Sequence, residues 1–184
     1  MAEQQQPKVV LVGNPNVGKS VLFNVLTGAY TTVSNYPGTS VEVARGHCDI
    51  DGVTYEILDT PGMYSLMPIT EEERVARQIL LEETPHAVIH VIDARNIERM
   101  LPMTLQLIEA GLPVILVVNI LDEAKRLGMD FDLVLLQKKL GIPVIGAVMK
   151  RRVGLDELQQ AIAGYSMVPH RPFSYAADLE EDIS

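Results

Sequence analysis

One cysteine, no tryptophan and only 15 lysines and arginines against 24 aspartates and glutamates mark this 184-residue sequence. A lone cysteine excludes an internal disulfide, and Cys48 falls in a strand-like segment where it reads as a small buried hydrophobe, suited to a reducing cytosol. The net charge of −9 argues against a general nucleic-acid or anionic-membrane surface, which depends on clustered Lys and Arg. The short basic run Lys150-Arg151-Arg152 reads as a solvated turn. The longest apolar stretch, Leu112 to Val118, is far below the roughly 20 residues that span a bilayer. Met1 to Pro7 is polar and lacks the charged-then-apolar order of a secretory signal. His47, His86, His90 and His170 are not at metal-ligand spacing with one another or with Cys48, the methionines are dispersed, and there is no internal repeat. What is present is a 47% apolar chain, enough for one domain with a real core.

Four apolar runs, Lys8 to Val12, Ala87 to Ile92, Pro113 to Val118 and Ile142 to Val148, lack polar alternation, as strands buried on both faces do. Helices lie between them. Gly28, Gly111 and Gly141 mark helix ends; Thr70 with Glu73 has capping-box spacing, Pro102 suits a first helical turn, and Asp132 can cap a helix from Leu133. Val41 to Ile50 and Val53 to Leu58 around Gly52 predict a hairpin. The order βαββαβαβαβα predicts an α/β fold with a mostly parallel six-stranded sheet, one antiparallel hairpin strand and helices on both faces. Tyr165 to Tyr175, broken by Pro169 and Pro172, reads as a linker, which makes residues 1–165 one domain.

Gly13-Asn14-Pro15-Asn16-Val17-Gly18-Lys19-Ser20 is a complete GxxxxGK[ST] loop, and the strand Lys8 to Val12 precedes it. Its backbone N–H groups and the following helix N-terminus suit a polyphosphate. Lys19 is placed to reach the β- and γ-phosphates and Ser20 to ligate Mg²⁺. Asp59-Thr60-Pro61-Gly62 follows another strand; there Asp59 can hold Mg²⁺ through water and the Gly62 N–H can meet the γ-phosphate. Asn119-Ile120-Leu121-Asp122 follows a third, and the Asp122 carboxylate can accept from N1–H and the exocyclic amine of guanine, which predicts GTP over ATP. Ala29 to Ser40, rich in Thr, Ser, Asn, Pro and Gly, reads as a mobile switch in which either Thr39 or Ser40 supplies a hydroxyl to Mg²⁺.

The order of these motifs resembles a TRAFAC-class GTPase. Their wording is closer still to the N-terminal G domain of the bacterial ferrous-iron transport protein B (FeoB) family, through Gly13 to Ser20, Asn35-Tyr36-Pro37-Gly38-Thr39-Ser40-Val41-Glu42, Asp59 to Leu66 and Asn119 to Ala124. The resemblance covers nearly the whole chain. It implies a Ras-like P-loop GTPase fold, with Val21, Tyr36, Gly38, Thr60, Pro61 and Leu121 added to the nucleotide site, and it aligns Ser40 with the Mg²⁺-binding threonine of the family. It also implies potassium activation, with K⁺ held by Asn16 and the carbonyls of Ser34 and Tyr36 beside the phosphates. The partners implied are helical regulatory and membrane domains of the same protein, residues 166–184 being the entry to the former, together with small Feo accessory proteins and homo-oligomers of the transporter. The implied location is the cytoplasmic face of the inner membrane, with the G domain itself soluble and nucleic acid no partner.

The sequence departs from standard GTPases at three places. Met63 stands where Ras-like enzymes carry the water-orienting glutamine, which predicts slow intrinsic hydrolysis. Ile120 replaces the lysine of NKxD. Ala147-Val148-Met149 replaces the usual base-contacting loop, leaving only backbone N–H groups to reach the guanine O6 and no hydroxyl to support Asp122. Other readings are a GTP/GDP sensor with negligible turnover, an Era- or TrmE-like GTPase acting on RNA, and an ATP-using P-loop kinase, which Asp122 disfavours.

Overall fold

The computed structural model describes residues 6–28 and 31–166. Seven strands, β1 (Lys8–Val12), β2 (Thr31–Asn35), β3 (Glu42–Ile50), β4 (Val53–Asp59), β5 (Ala87–Asp93), β6 (Val114–Asn119) and β7 (Val144–Gly146), form one sheet in the order β2-β3-β4-β1-β5-β6-β7. Strand β1 pairs in parallel with β4 and β5, and β5-β6 and β6-β7 are parallel too, while β2-β3 and β3-β4 are antiparallel. Helices α1 (Lys19–Thr27), α2 (Glu71–Glu82), α3 (Ile97–Glu109), α4 (Leu121–Arg126), α5 (Leu133–Leu140) and α6 (Leu155–Ala163) complete the chain.

The apolar strands serve two cores at once. Along β1, Val10 and Val12 face one core, with Val75, Ile79 and Leu107 of α2 and α3. Val9 and Leu11 face the other, with Leu22, Phe23 and Leu158 of α1 and α6. Successive side chains of a strand point to opposite faces, so a strand covered on both sides must be apolar at every position. The expected architecture therefore stands, with one strand more than the six anticipated. The added strand, β2, lies in the segment read as a mobile loop. All five of its residues are exposed, so it shows no apolar alternation; what makes it a strand is its register on β3, from Thr31 opposite Gly46 to Asn35 opposite Glu42.

Helix boundaries follow the local chemistry with one correction. Asp132 Oδ1 accepts from the Leu135 N–H at 2.9 Å, as expected of a cap. Pro102, expected in a first turn, lies well inside α3. The helix starts earlier because Asp93 caps a 3₁₀ turn over residues 94–96 that runs straight into Ile97. Pro102 is exposed, so the carbonyl that its missing N–H leaves unbonded can face water. Cys48 is buried in β3, and burial pushes its thiol up. His90 is wholly buried in β5; its Nδ1 lies 3.0 Å from Thr104 Oγ1, and burial lowers its pKa to about 3. His170 and the rest of the linker segment after Ser166 lie outside the described residues.

Thr70 and Glu73 form the capping box at the start of α2, but Glu73 does more than cap. Its buried carboxylate accepts from the N–H groups of Ile69 at 2.8 Å, Thr70 at 3.3 Å and Tyr64 at 3.3 Å, and so gathers the loop that links Gly62 to the helix. The Ile69 bond foremost, then those of Thr70 and Tyr64, outweigh the opposing effect of burial and hold the Glu73 carboxyl below its usual range. A lowered folded value contributes stability that is full above the ordinary carboxylate range near pH 4 and is lost as pH falls through the folded value. Glu73→Gln is expected to cost about 1–3 kcal/mol at pH 7 and to flatten the acid limb of the stability curve, as measured by urea unfolding from pH 7 down to pH 3.

Candidate functional site

The residues of interest leave the carboxyl ends of β1, β4, β6 and β7, which the parallel core of the sheet brings to one edge. The loop after β1 is shaped by contacts that only glycine allows. A Cβ on Gly13 would lie 2.4 Å from the Val91 carbonyl oxygen, and one on Gly18 would lie 2.4 Å from Asn119 Nδ2, both at positive φ. Between them Asn16 adopts φ 66°, a left-handed conformation that asparagine tolerates. Asn14 Oδ1 is buried within this loop without a hydrogen-bond partner among the described residues. Asn119 binds the whole together. Its Nδ2 donates to the Val17 carbonyl at 3.0 Å and its Oδ1 accepts from the Met149 N–H at 3.0 Å, so one buried side chain joins the β1 loop, the end of β6 and the loop after β7.

At the phosphate-loop end, Lys19 Nζ pairs with Asp59 Oδ1 and donates to the Thr60 carbonyl, while Ser20 Oγ donates to Asp59 Oδ2 at 3.1 Å. The Thr60 hydroxyl donates to the Leu11 carbonyl at 2.8 Å, locking the Asp59 to Gly62 turn on β1. Gly62 lies against Pro15, where a Cβ would come within 2.7 Å of the ring. Lys19, Ser20, Ser40, Asp59, Thr60, Pro61 and Gly62 line one open cavity of about 560 Å³. An ammonium, a helix N-terminus and backbone N–H groups suit a polyphosphate there. Two hydroxyls and a carboxylate on the same wall are hard oxygen donors of the kind Mg²⁺ takes.

The two hydroxyls of the switch are no longer equivalent. Thr39 Oγ1 donates to the Tyr36 carbonyl at 2.9 Å and accepts from the Val41 N–H at 3.2 Å, which commits it to its own turn. Ser40 is exposed and faces the cavity. The Tyr36 carbonyl accepts from both the Thr39 N–H and the Thr39 hydroxyl, and its ring is buried with the hydroxyl 3.3 Å from Glu82. Ser34 lies in β2 opposite Val43. In this conformation, then, the Tyr36 carbonyl is engaged within its own turn. Gly38 sits in the exposed part of the same turn.

The base end is a cavity of about 300 Å³ whose lining includes Asn16, Gly18, Val21, Asn119, Ile120, Asp122, Val148 and Met149. Asp122 is half-buried and bonds to no described residue, so both its oxygens can accept. Ile120 holds φ 63°, an uncommon state for a β-branched residue, and places Leu121 and Asp122 in the first turn of α4. The N–H groups of the Ala147-Val148-Met149 loop all have protein partners in this conformation. The Ala147 N–H donates to Val118 at 2.8 Å, that of Val148 to Val153 at 3.1 Å and that of Met149 to Asn119. Ala147 itself is wholly buried. Met63, at the glutamine position, is also wholly buried, and its N–H donates to the Gly13 carbonyl at 3.0 Å. Arg95, Glu123, Lys150 and Arg151 line the base cavity as well. Arg95 belongs to no sequence motif, and Lys150 and Arg151, expected only as part of a solvated turn, are among these lining residues.

Comparisons with known proteins agree with this geometry. A family model described as "Ferrous iron transport protein B" matches residues 7–162. The Fe(2+) transport protein A/Fe(2+) transporter FeoB fusion protein of Porphyromonas gingivalis is 45% identical over 152 residues, 82% of this chain but 18% of that protein. The chain thus spans about a fifth of the length of that relative. The G domain of the T. maritima FeoB iron transporter superposes with a TM-score of 0.81 at 41% identity, covering 87% of this chain and 98% of that one. The cytosolic domain of the same transporter in a GDP form gives a TM-score of 0.87 at 40% identity, covering 97% and 71%.

Asn119→Ala removes both bonds of the brace and leaves the Val17 carbonyl and the Met149 N–H without partners in a buried setting. At about 1–3 kcal/mol for each such group, a loss of roughly 2–6 kcal/mol is expected in chemical denaturation, whereas Asn16→Ala, at an exposed loop position, should cost only about 1 kcal/mol for the left-handed backbone.

Proposed function

Because the chain belongs to the ferrous iron transport protein B family, as its N-terminal G domain, we propose that it binds GTP and GDP and hydrolyses GTP as the nucleotide switch of a bacterial Fe(2+) transporter. The observation that carries this reading is the alignment of Lys19 and Ser20, Asp59 and Asp122 along one sheet edge, with Asn119 bracing the two cavities between them. Gly13 to Ser20 cradle the phosphates, and Lys19 turns from Asp59 to the β- and γ-oxygens. Asp122 accepts from the two guanine donors, and Val21, Ile120, Val148 and Met149 wall the base.

Ser20 and Ser40 would hold Mg²⁺ directly and Asp59 through water; bound there, the ion neutralises charge on the phosphate oxygens. Ser40 takes this part in preference to Thr39 because Ser40 lines the cavity while the Thr39 hydroxyl is bonded within its own turn. The Gly62 N–H meets the γ-phosphate. No side chain at position 63 orients the attacking water, since Met63 is packed in the core, so intrinsic turnover is slow. Asn16, with carbonyls of Ser34 and Tyr36, would hold K⁺ once the switch turn opens and frees Tyr36. The partners are the helical regulatory and membrane domains of the transporter and small Feo accessory proteins, at the cytoplasmic face of the inner membrane, where nucleotide state couples to Fe(2+) uptake. The buried Met63 equally favours a GTP/GDP sensor with negligible turnover.

Asp122→Asn tests base selection. GTP affinity should fall about 100-fold or more, since two charge-assisted hydrogen bonds of about 1.5–3 kcal/mol each are lost, and binding of xanthosine triphosphate should improve. An unchanged preference would refute the role of Asp122.

Single-turnover hydrolysis separates enzyme from sensor and tests the cations. Turnover in K⁺ should exceed that in Na⁺; Asn16→Ala should abolish the difference with GDP affinity nearly intact, and Ser40→Ala should slow hydrolysis more than Thr39→Ala. No measurable turnover in either salt would leave the sensor.

A further inference from the structure

Arg95 sits in the 3₁₀ turn that leaves β5, and its guanidinium joins two carboxylates. Nε lies 3.0 and 3.1 Å from the two Asp93 oxygens, Nη2 donates to Asp93 Oδ2 at 2.7 Å, and Nη1 donates to Glu123 Oε2 at 2.5 Å. The Asp93 side chain is 7% exposed and accepts in addition from the Arg95 N–H, so this end of the bridge is fixed. Burial raises the Asp93 carboxyl, but the Arg95 bonds outweigh it and hold the group below its usual range. Glu123, by contrast, is the half-exposed neighbour of Asp122.

Helix α4 needs such a tie. It has six residues, too few to be stable alone, and it begins on Ile120 without a side-chain cap. Its Leu121 N–H donates to the Ala147 carbonyl at 3.2 Å and Ala124 is buried. Among the described residues, the bond from Arg95 to Glu123 is the one side-chain hydrogen bond that links α4 to another element. Arg95, Asp122 and Glu123 line the same cavity. An exposed ion pair alone is weak, largely because two long side chains must be ordered. Here the bidentate hold on Asp93 has already ordered the guanidinium. It also engages a Glu123 oxygen, whereas Asp122 bonds to no described residue and is the acceptor presented to the base.

We infer that Arg95 is a positioning residue for base selection: by gripping Glu123 against Asp93, it fixes the place of the Asp122 carboxylate, the support that no hydroxyl of Ala147-Val148-Met149 supplies. The inference rests on the reading of Asp122 as the guanine-selecting group. Inosine diphosphate lacks the exocyclic amine, so the ratio of its Kd to that of GDP reads one of the two Asp122 hydrogen bonds. That ratio should be about tenfold or more in the unmodified protein.

The experiment measures both nucleotides with unmodified protein, Arg95→Met, Arg95→Lys, Glu123→Ala and the Arg95→Met/Glu123→Ala double variant. Arg95→Met and Glu123→Ala should each cut the ratio at least threefold, the double variant should cut it no further, and Arg95→Lys, a point charge without the fork, should restore it only in part. An unchanged ratio in folded Arg95→Met overturns the inference. So does a fall in Arg95→Met without one in Glu123→Ala, which would mean that Arg95 acts on the nucleotide directly. Should Arg95→Met fail to fold because Asp93 is left buried and unpaired, Glu123→Ala decides alone, since it keeps the Arg95–Asp93 pair. Unmodified protein that binds ADP as well as GDP would refute the reading of Asp122 itself, whereas a guanine preference with unchanged ratios would refute only the role of Arg95.

Discussion

Everything at the carboxyl edge of the sheet depends on the buried amide of Asn119. It is 4% exposed and spends its donor on the Val17 carbonyl and its acceptor on the Met149 N–H, two backbone groups in loops that water would otherwise have to satisfy. A primary amide is the one small side chain that offers a donor and an acceptor in a fixed plane at this spacing. An aspartate could not donate to Val17, and a leucine would leave both groups unpaired. The close packing of Gly18 on the same amide follows, because the loop can approach β6 only if no Cβ intervenes. Phosphate loop and base loop are thereby one body.

Carboxylates outnumber their cationic partners at the site. Lys19 pairs with Asp59, and Arg95 alone with both Asp93 and Glu123, whereas Asp122 lines its cavity without a partner among the described residues. In a chain of net charge −9, an uncompensated carboxylate is a liability toward a polyanion unless the ligand brings donors to it. On the proposed reading, the two guanine N–H groups would do so at the base end and a divalent cation beside Asp59. The switch segment carries a different kind of restraint. Its turn is closed by Thr39 on Tyr36 and its ring is held beside Glu82, so opening it breaks several weak bonds and lifts a buried aromatic ring, a change of state rather than a gradual drift.

The motifs were legible in the sequence because each is a local arrangement: a glycine loop between strand and helix, a carboxylate after a strand, an amide and a carboxylate three residues apart. The same holds for the uninterrupted apolar strands, the Thr70–Glu73 box and the Asp132 cap. Family membership and the Ras-like P-loop fold follow from this local wording over residues 7–162. What could not be read was set by partners distant in the chain. Strand β2 has no periodicity of its own and exists through its ladder with β3. Pro102 lies mid-helix because Asp93 starts the preceding turn early. Thr39 and Ser40 are told apart by the hydrogen bonds that tie the Thr39 hydroxyl to its turn and by Ser40 lining the cavity. The N–H groups of Ala147-Val148-Met149 are occupied by Val118, Val153 and Asn119, and Arg95 reaches Glu123 across 28 residues. Thus the sequence by itself determined most of the elements, the phosphate loop and the place of the Asp122 carboxylate after β6, since these rest on local conformational preference and side-chain chemistry. The tertiary structure alone decided which of Thr39 and Ser40 is tied into its turn, which loop N–H groups find partners and which arginine holds the carboxylates, because hydrogen-bond partners and burial are fixed only when distant segments pack.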